Sequence, residues 1–388
     1  MYPDLSYLLH DIFGTDINNG FSIVKMFGLL LALAFFASAY TLSLEFARKE
    51  KEGLLQSTLE TITVGEGATI SDLALNALIG FFIGFKILYV VQNFLDFKAD
   101  AAAIIMSSKG NIVGGVLGLL GFVAWRYYDA NKGKLTKPVQ KEVLVSPSHR
   151  IGDITMVAAV SGLLGAKLFS VLENFSEFIK NPIEQFFSGS GLTMYGGLIL
   201  AFIVVYWYVR KKGIPPIHMM DACAPTLMVG YGVGRLGCQL SGDGDWGIAN
   251  TAPKPGWMSF MPDWLWAQSY PHNVVKEGIA IPNCVGDFCK YLNPPVFPTP
   301  LYESLMCLAI LIIIWSIRKR IKTPGVMFCI YLIFNGLERF FIEIIRINPT
   351  YSFIGDIQFS QAQFIALALI LIGIVYAAIL LLRKRMAS

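Results

Sequence analysis

The sequence predicts an all-α integral membrane protein. It should have about nine transmembrane helices, its N-terminus outside and its C-terminus inside, an internal helix-pair repeat and one long extracytoplasmic segment. Three observations predict this. Of the 388 residues, 55% are apolar and only 15% are charged, with a mean hydropathy of +0.57. A soluble domain carries roughly 45–50% and about 25%. The apolar residues fall in blocks of about twenty, the length that crosses a ~30 Å hydrocarbon layer at a rise of 1.5 Å per residue. The basic residues, finally, gather in alternate connections between those blocks. A net charge of +4 is too small to suggest a polyanion partner, and no nucleic acid is expected.

The blocks lie near 22–46, 72–93, 111–128, 154–174, 192–209, 220–240, 301–317, 324–344 and 360–382. The first follows Asp4, Asp11 and Asp16 with no basic stretch and no small-residue cleavage site, so it reads as a retained helix, not a signal peptide. With the N-terminus outside, the inner segments hold 19 Lys and Arg and the outer ones 7, while Lys25, Lys86, Lys167, Arg235 and Arg339 fall within or at the edges of spans. That asymmetry is the positive-inside pattern, and it favours a multi-pass chain with its N-terminus outside, its C-terminus inside and an odd number of helices. Lys25, Lys86 and Lys167 can snorkel to headgroups. Arg235 and Arg339 sit deeper among polar residues, where an ionised group usually faces a partner, a cavity or a ligand.

At an offset of 81 or 82 residues the chain echoes itself. Ala77 to Lys86 and Gln92-Asn93-Phe94 answer Ala158 to Lys167 and Glu173-Asn174-Phe175, and Val113-Gly114-Gly115 answers Tyr195-Gly196-Gly197. The organisation that follows is an N-terminal segment with the first helix (1–70), an extra helix pair (71–133), a cytoplasmic linker (134–153) and a membrane core (154–388) that includes the extracytoplasmic segment 242–300.

Polar residues collect in four places. Ser188 to Gly197 ends in Tyr195, Gly196 and Gly197 at an outer helix end, where glycine permits close approach and tyrosine suits the aromatic belt. Gly230 to Gly247 closes an apolar helix with Arg235, Cys238, Ser241, Asp243 and Gly247; a guanidinium there can grip two phosphate oxygens. Phe297 to Glu303 starts a helix at Pro298 and Pro300, with Tyr302 following and Glu303 expected in its first turn, so capping alone would explain it. Arg339, Glu343 and Arg346 have i, i+4, i+7 spacing, which puts them on one helix face as either an ion ladder or an anion site. None of the four histidines falls in a predicted span. Cys284 and Cys289, in the outer segment, are expected to form a disulfide.

At these residues the chain resembles the bacterial prolipoprotein diacylglyceryl transferases. The family signature Gly-Arg-x-Gly-Asn-Phe-x-Asn-x-Glu reads here as Gly234 to Asp243, its Tyr-Glu motif matches Tyr302-Glu303, and its Arg-x3-Glu-x2-Arg motif matches Arg339, Glu343 and Arg346. Two departures stand out: the family's His-Gly-Gly reads Tyr195-Gly196-Gly197, and the signature asparagine is Cys238. The resemblance implies transfer of the diacylglyceryl group of phosphatidylglycerol to the lipobox cysteine of preprolipoprotein signal peptides, with release of glycerol phosphate and no cofactor or metal. It implies that Arg235 and Arg339 hold phosphate, that Glu343 orients Arg339, and that Tyr195 replaces the histidine, a phenol suiting positioning better than proton abstraction. Gly196, Gly197 and Gly247 would shape the pocket. Cys238, Ser241, Asp243, Tyr302, Glu303, Arg346 and Lys167 would line the substrate site. A transporter, or an inactive lipid- or peptide-binding relative, is the competing expectation.

Overall fold

The computed structural model describes residues 1–17, 19–99, 104–105, 107–182, 193–354 and 357–387. Among them are nine long helices: α1 Met26–Lys51, α2 Ile70–Gln92, α3 Ile112–Lys132, α4 Ile151–Glu173, α5 Met194–Lys211, α6 Pro216–Ser241, α7 Thr299–Ile317, α8 Val326–Ile342 and α9 Gln361–Ala387. Six of these, α1, α2, α4, α5, α7 and α9, are long and apolar enough by themselves to cross a membrane. By contrast α3 ends in Arg126, Asp129 and Lys132, α6 carries His218, Asp221 and Arg235, and α8 has only 17 residues. His218 lies in the first turn of α6, which is not among those six, so it does not conflict with the expectation that spans lack histidine. Ser188 to Leu192 lie outside the described residues.

The chain forms two compact units, Met1–Leu55 with Ile214–Ser388, and Gln56–Gly213. This differs from the expected division at 153/154, because α4 and α5 group with α2 and α3. Two strands the apolar-block reading passed over supply the reason. β1 Thr58–Val64 pairs antiparallel with β2 Val139–Val145. Glu60 on β1 also takes Arg150, just before α4, at 2.7 Å, and Lys212, just after α5, at 3.0 Å.

Within this second unit α2 packs on α3 and α4 on α5 through glycine. A methyl on Gly80 would come 2.5 Å from the Gly118 carbonyl, and one on Gly196 would come 2.6 Å from the Gly165 carbonyl. Such backbone contact tolerates no side chain. Corresponding positions in the two pairs make corresponding hydrogen bonds. Asn111 N donates to Phe85 O at 2.9 Å as Thr193 N donates to Ala166 O at 3.0 Å. Asn111 Nδ2 reaches Gln92 Oε1 at 2.9 Å, and Thr193 Oγ1 reaches Glu173 Oε2 at 2.7 Å. Lys86 does not simply snorkel: its ammonium donates to the carbonyls of Ile104, Ser107 and Lys109.

In the first unit α6 packs against α1, α7 and α8, and α8 against α9. Ala224 and Met228 of α6 meet Cys307, Ile310 and Ile314 of α7 and Met327 of α8 in a buried core. Asp221 of α6 accepts from the backbone N–H of Gly325 (2.8 Å) and Phe328 (3.1 Å), and so caps α8 from a neighbouring helix. This matters because the residue before α8 is a glycine with φ +87°, which offers no side chain for the role. Lys25 lies 3.6 Å from Asp4 and is therefore ion-paired. Between α6 and α7 the chain folds over a small core of Trp246, Tyr270, Leu292 and Val296, and Cys284 and Cys289 are disulfide-bonded as expected.

Candidate active site

The C-terminal half of α6, the first turns of α7, the end of α8 and the residues following α6 and α8 converge on one buried ion network in the first unit. Glu303 is fully buried. It lies beyond the first turn of α7, which holds no acidic residue, so it does not cap the helix. Instead it accepts from Arg235 Nε, from Arg346 Nη1 at 2.9 Å and from the Tyr231 hydroxyl at 3.2 Å, with Arg339 Nη1 at 3.6 Å. Asp245 closes the other side, holding Arg235 Nη1 on one oxygen and Arg346 Nη2 on the other at 2.9 Å. The Arg235 guanidinium also lies over the Tyr231 ring, 5.3 Å from its centroid.

Arg339 pairs with Glu343 at 3.1 Å, and Glu343 is approached by Arg346 at 4.0 Å and bonded by Asn348. The expected single helix face is not how these residues meet. α8 stops at Ile342, residues 343–345 tighten into a 3₁₀ turn, and Arg346 is extended with φ −91° and ψ 156°. Pro349 follows closely and disfavours helix before it. The extended strand is held by Gly247: Ile248 N donates to Ile345 O at 2.9 Å and Gly247 N to Phe297 O at 2.9 Å. A methyl on Gly247 would lie 2.8 Å from Thr299 Cγ2 and 3.0 Å from Phe297 Cβ, so glycine here permits a three-way backbone crossing that aims Arg346.

The arginines are thus matched. Arg235, Arg339 and Arg346 face Glu303, Glu343 and Asp245, so the cluster is not the bare positive field that arginines alone would make. Asp245 is the most accessible carboxylate, its side chain 37% exposed against 0% for Glu303 and 1% for Glu343. Burial pushes Asp245 upward in pKa, but Arg235 and Arg346 outweigh it and hold the carboxyl below its usual range. Burial raises the neighbouring Asp243, and Asp245 adds to that. Arg339 keeps spare capacity, since its buried Nη1 has no hydrogen-bond partner among the described residues. Cys238 Sγ, Asp243 and Asp245 oxygens lie within 4.8 Å of one another, a metal-like spacing, but two guanidiniums already occupy Asp245 and a cation would meet their charge.

The other expected residues divide plainly. Cys238 is buried with its sulfur 3.9 Å from Arg235 Nη1. Ser241 donates to Gly237 O at 2.8 Å, a local helix bond. Tyr302 turns its hydroxyl to Leu265 O at 2.7 Å. Tyr195, Gly196, Gly197 and Lys167 belong to the second unit: Tyr195 is half-buried in the first turn of α5, Lys167 is buried on α4, and the two glycines are taken up by α4–α5 packing. Four residues were missed. Asp245 and Tyr231 complete the network, Asn348 holds Glu343, and Glu338 is a buried carboxyl beside Arg339 with neither oxygen hydrogen-bonded among the described residues. Glu338 carried the same signal as Arg339, an ionisable group within an apolar run.

Residues 133–379 match the family described as prolipoprotein diacylglyceryl transferase, well over half of the chain. The chain belongs to that family. The matched stretch begins directly after α3, and it contains every arginine and carboxylate of the network. Among similar proteins are the phosphatidylglycerol–prolipoprotein diacylglyceryl transferases of Staphylococcus xylosus, 29% identical over 225 residues (58% of this chain, 71% of the relative), and of Leptospira interrogans, 25% identical over 306 residues (66% and 85%). That of Lysinibacillus sphaericus is 28% identical over 230 residues (59% and 76%).

Proposed function

We propose that this chain transfers the diacylglyceryl group of phosphatidylglycerol to the lipobox cysteine thiol of preprolipoprotein signal peptides. The observation that carries the reading is the single buried network uniting Arg235, Glu303, Arg339 and Arg346, which come from three separate sequence motifs. In the reaction the cysteine sulfur bonds to the glyceryl carbon as that carbon's bond to the phosphate oxygen breaks. Glycerol phosphate departs and the thiol proton passes to solvent. Arg339 offers its spare N–H groups to the phosphodiester, and Glu343 orients it. The lipid phosphate displaces the accessible Asp245 carboxylate and takes over its two guanidinium donors, which then stabilise charge on the departing phosphate. Glu303 stays in place and keeps Arg235 and Arg346 aimed. Tyr195 stands at the sequence position of the family histidine.

All nine long helices span the membrane in this reading, N-terminus out and C-terminus in, with the network toward the extracytoplasmic leaflet of a bacterial cytoplasmic membrane. The distribution of Lys and Arg supports that topology. The α2–α3 pair is a second copy of α4–α5 in the same orientation, supported by the sequence offset and the corresponding hydrogen bonds. Full-length protein in proteoliposomes, given labelled phosphatidylglycerol and a lipobox peptide, should form a thioether. Arg235→Ala should reduce transfer below detection, and near-normal turnover by that variant would overturn the assignment.

A further inference from the structure

At the end of α6 opposite Arg235, a cavity of about 450 Å³ opens between the ends of α1 and α7 and the starts of α6 and α8. Fourteen residues separate Asp221 from Arg235 on α6, about 21 Å of helix, so this cavity is separate from the arginine network described above. Five cationic side chains line it: Arg48, Lys49, Arg318, Lys319 and Lys322. Only two carboxylates do, Glu52 and Asp221.

Those carboxylates are already engaged. Glu52 pairs with Arg48 at 2.9 Å. Both oxygens of Asp221 accept backbone N–H groups at the start of α8. Glu45, behind the cavity, holds Arg48 at 2.6 Å and Arg318 at 2.7 Å, and still leaves the cations in excess. Lys49 is the residue left short. Its side chain is 5% exposed, and its nearest carboxylate is Asp221 at 3.9 Å, beyond a hydrogen bond. The buried Nδ1 of His218, also in the lining, has no hydrogen-bond partner among the described residues. Lys319 and Lys322 are exposed at the rim. An ammonium on so little-exposed a side chain, with its nearest carboxylate 3.9 Å away, favours an anionic group in the space in front of it. Basic residues that serve only to orient a membrane protein have no need of a shared cavity lined by five cationic side chains, one of them only 5% exposed.

We propose that this cavity is a second anion site that takes a phosphate group, either a lipid headgroup or a soluble phosphate ester. Lys49 and the N–H edge of His218 meet the phosphate at the floor, and Lys319 and Lys322 close on it from the rim. The volume accommodates more than inorganic phosphate alone, in keeping with an esterified group.

The test is thermal unfolding of the full-length protein at constant ionic strength. One arm adds sodium phosphate against chloride in an uncharged detergent. The other adds phosphatidic acid to phosphatidylcholine bicelles. Binding should raise Tm by about 2–4 °C in at least one arm. A response to phosphate assigns a soluble ester, and a response to phosphatidic acid alone assigns a lipid headgroup. Lys49→Gln and Lys322→Gln should each require about tenfold more ligand for the same shift. Because Lys322 is exposed, its variant folds normally and keeps the test decisive if Lys49→Gln does not. No shift in either arm, or a shift that Lys322→Gln leaves unchanged, would overturn the proposal.

Discussion

Truncating Glu303 tests whether the arginine network is a structural unit as well as a binding one. Glu303→Ala removes the acceptor of Arg235 Nε and of Arg346 Nη1, and the carboxylate 3.6 Å from Arg339 Nη1, in a position with no solvent access. Each lost charge-assisted hydrogen bond costs about 1.5–3 kcal/mol, so two give about 3–6 kcal/mol. Breaking a buried ion pair from one side costs about 3–5 kcal/mol, which agrees. Glu303→Gln keeps one acceptor oxygen but turns an amide toward the second guanidinium, and should lose about half as much. Reversible unfolding in mixed micelles, followed by circular dichroism, reads both variants, with thioether formation measured in parallel. An alanine variant within about 1 kcal/mol of the parent would refute the claim that Glu303 holds the arginines. Parent-like transfer by the same variant would refute the claim that their aim matters.

Gly165→Leu should disrupt the α4–α5 pair and Gly84→Leu the α2–α3 pair; limited proteolysis of the β1–β2 linkers reports each, and unchanged protection would count against glycine-mediated packing. Asp245 has a depressed folded pKa, so its contribution is complete above its unfolded value near pH 4 and is lost as pH falls through the lower folded value. Acid unfolding of Asp245→Asn should therefore be less steep below about pH 4 than that of the parent, and identical profiles would contradict the pairing with Arg235 and Arg346. Tyr195→Phe should lower turnover while Tyr195→His retains it. Full activity in the phenylalanine variant would show that transfer does not need the hydroxyl.

Much of the site was legible because ionisable residues in apolar runs are expensive and must be accounted for. Arg235, Arg339 and Glu343 announced themselves in that way. Asp245 did not, since a carboxylate in a glycine-rich connection looks like ordinary loop polarity, and only the fold shows that two guanidiniums reach it. The i, i+4, i+7 reading placed Arg346 near the right partners by the wrong route, because Pro349 ends helical geometry before Arg346. The alternation in Thr58-Leu59-Glu60-Thr61-Ile62-Thr63-Val64 is a strand signal, but its seven residues are short beside the apolar blocks that dominate the chain. Gly196 and Gly197 permit close approach, as their lack of a side chain implies. What approaches is a neighbouring helix.

The matching of Arg235 to Glu303 also sets an order for biogenesis. Sixty-eight residues of chain separate them, so at 5–20 residues per second Arg235 is synthesised about 3–14 s before its buried acceptor exists. During that interval α6, not apolar enough to cross alone, has Asp245 within reach of its guanidinium but lacks the fully buried partner Glu303. If α6 spans the membrane, as the proposed topology has it, its stable integration waits on α7, and the two helices should leave the insertion machinery as a pair.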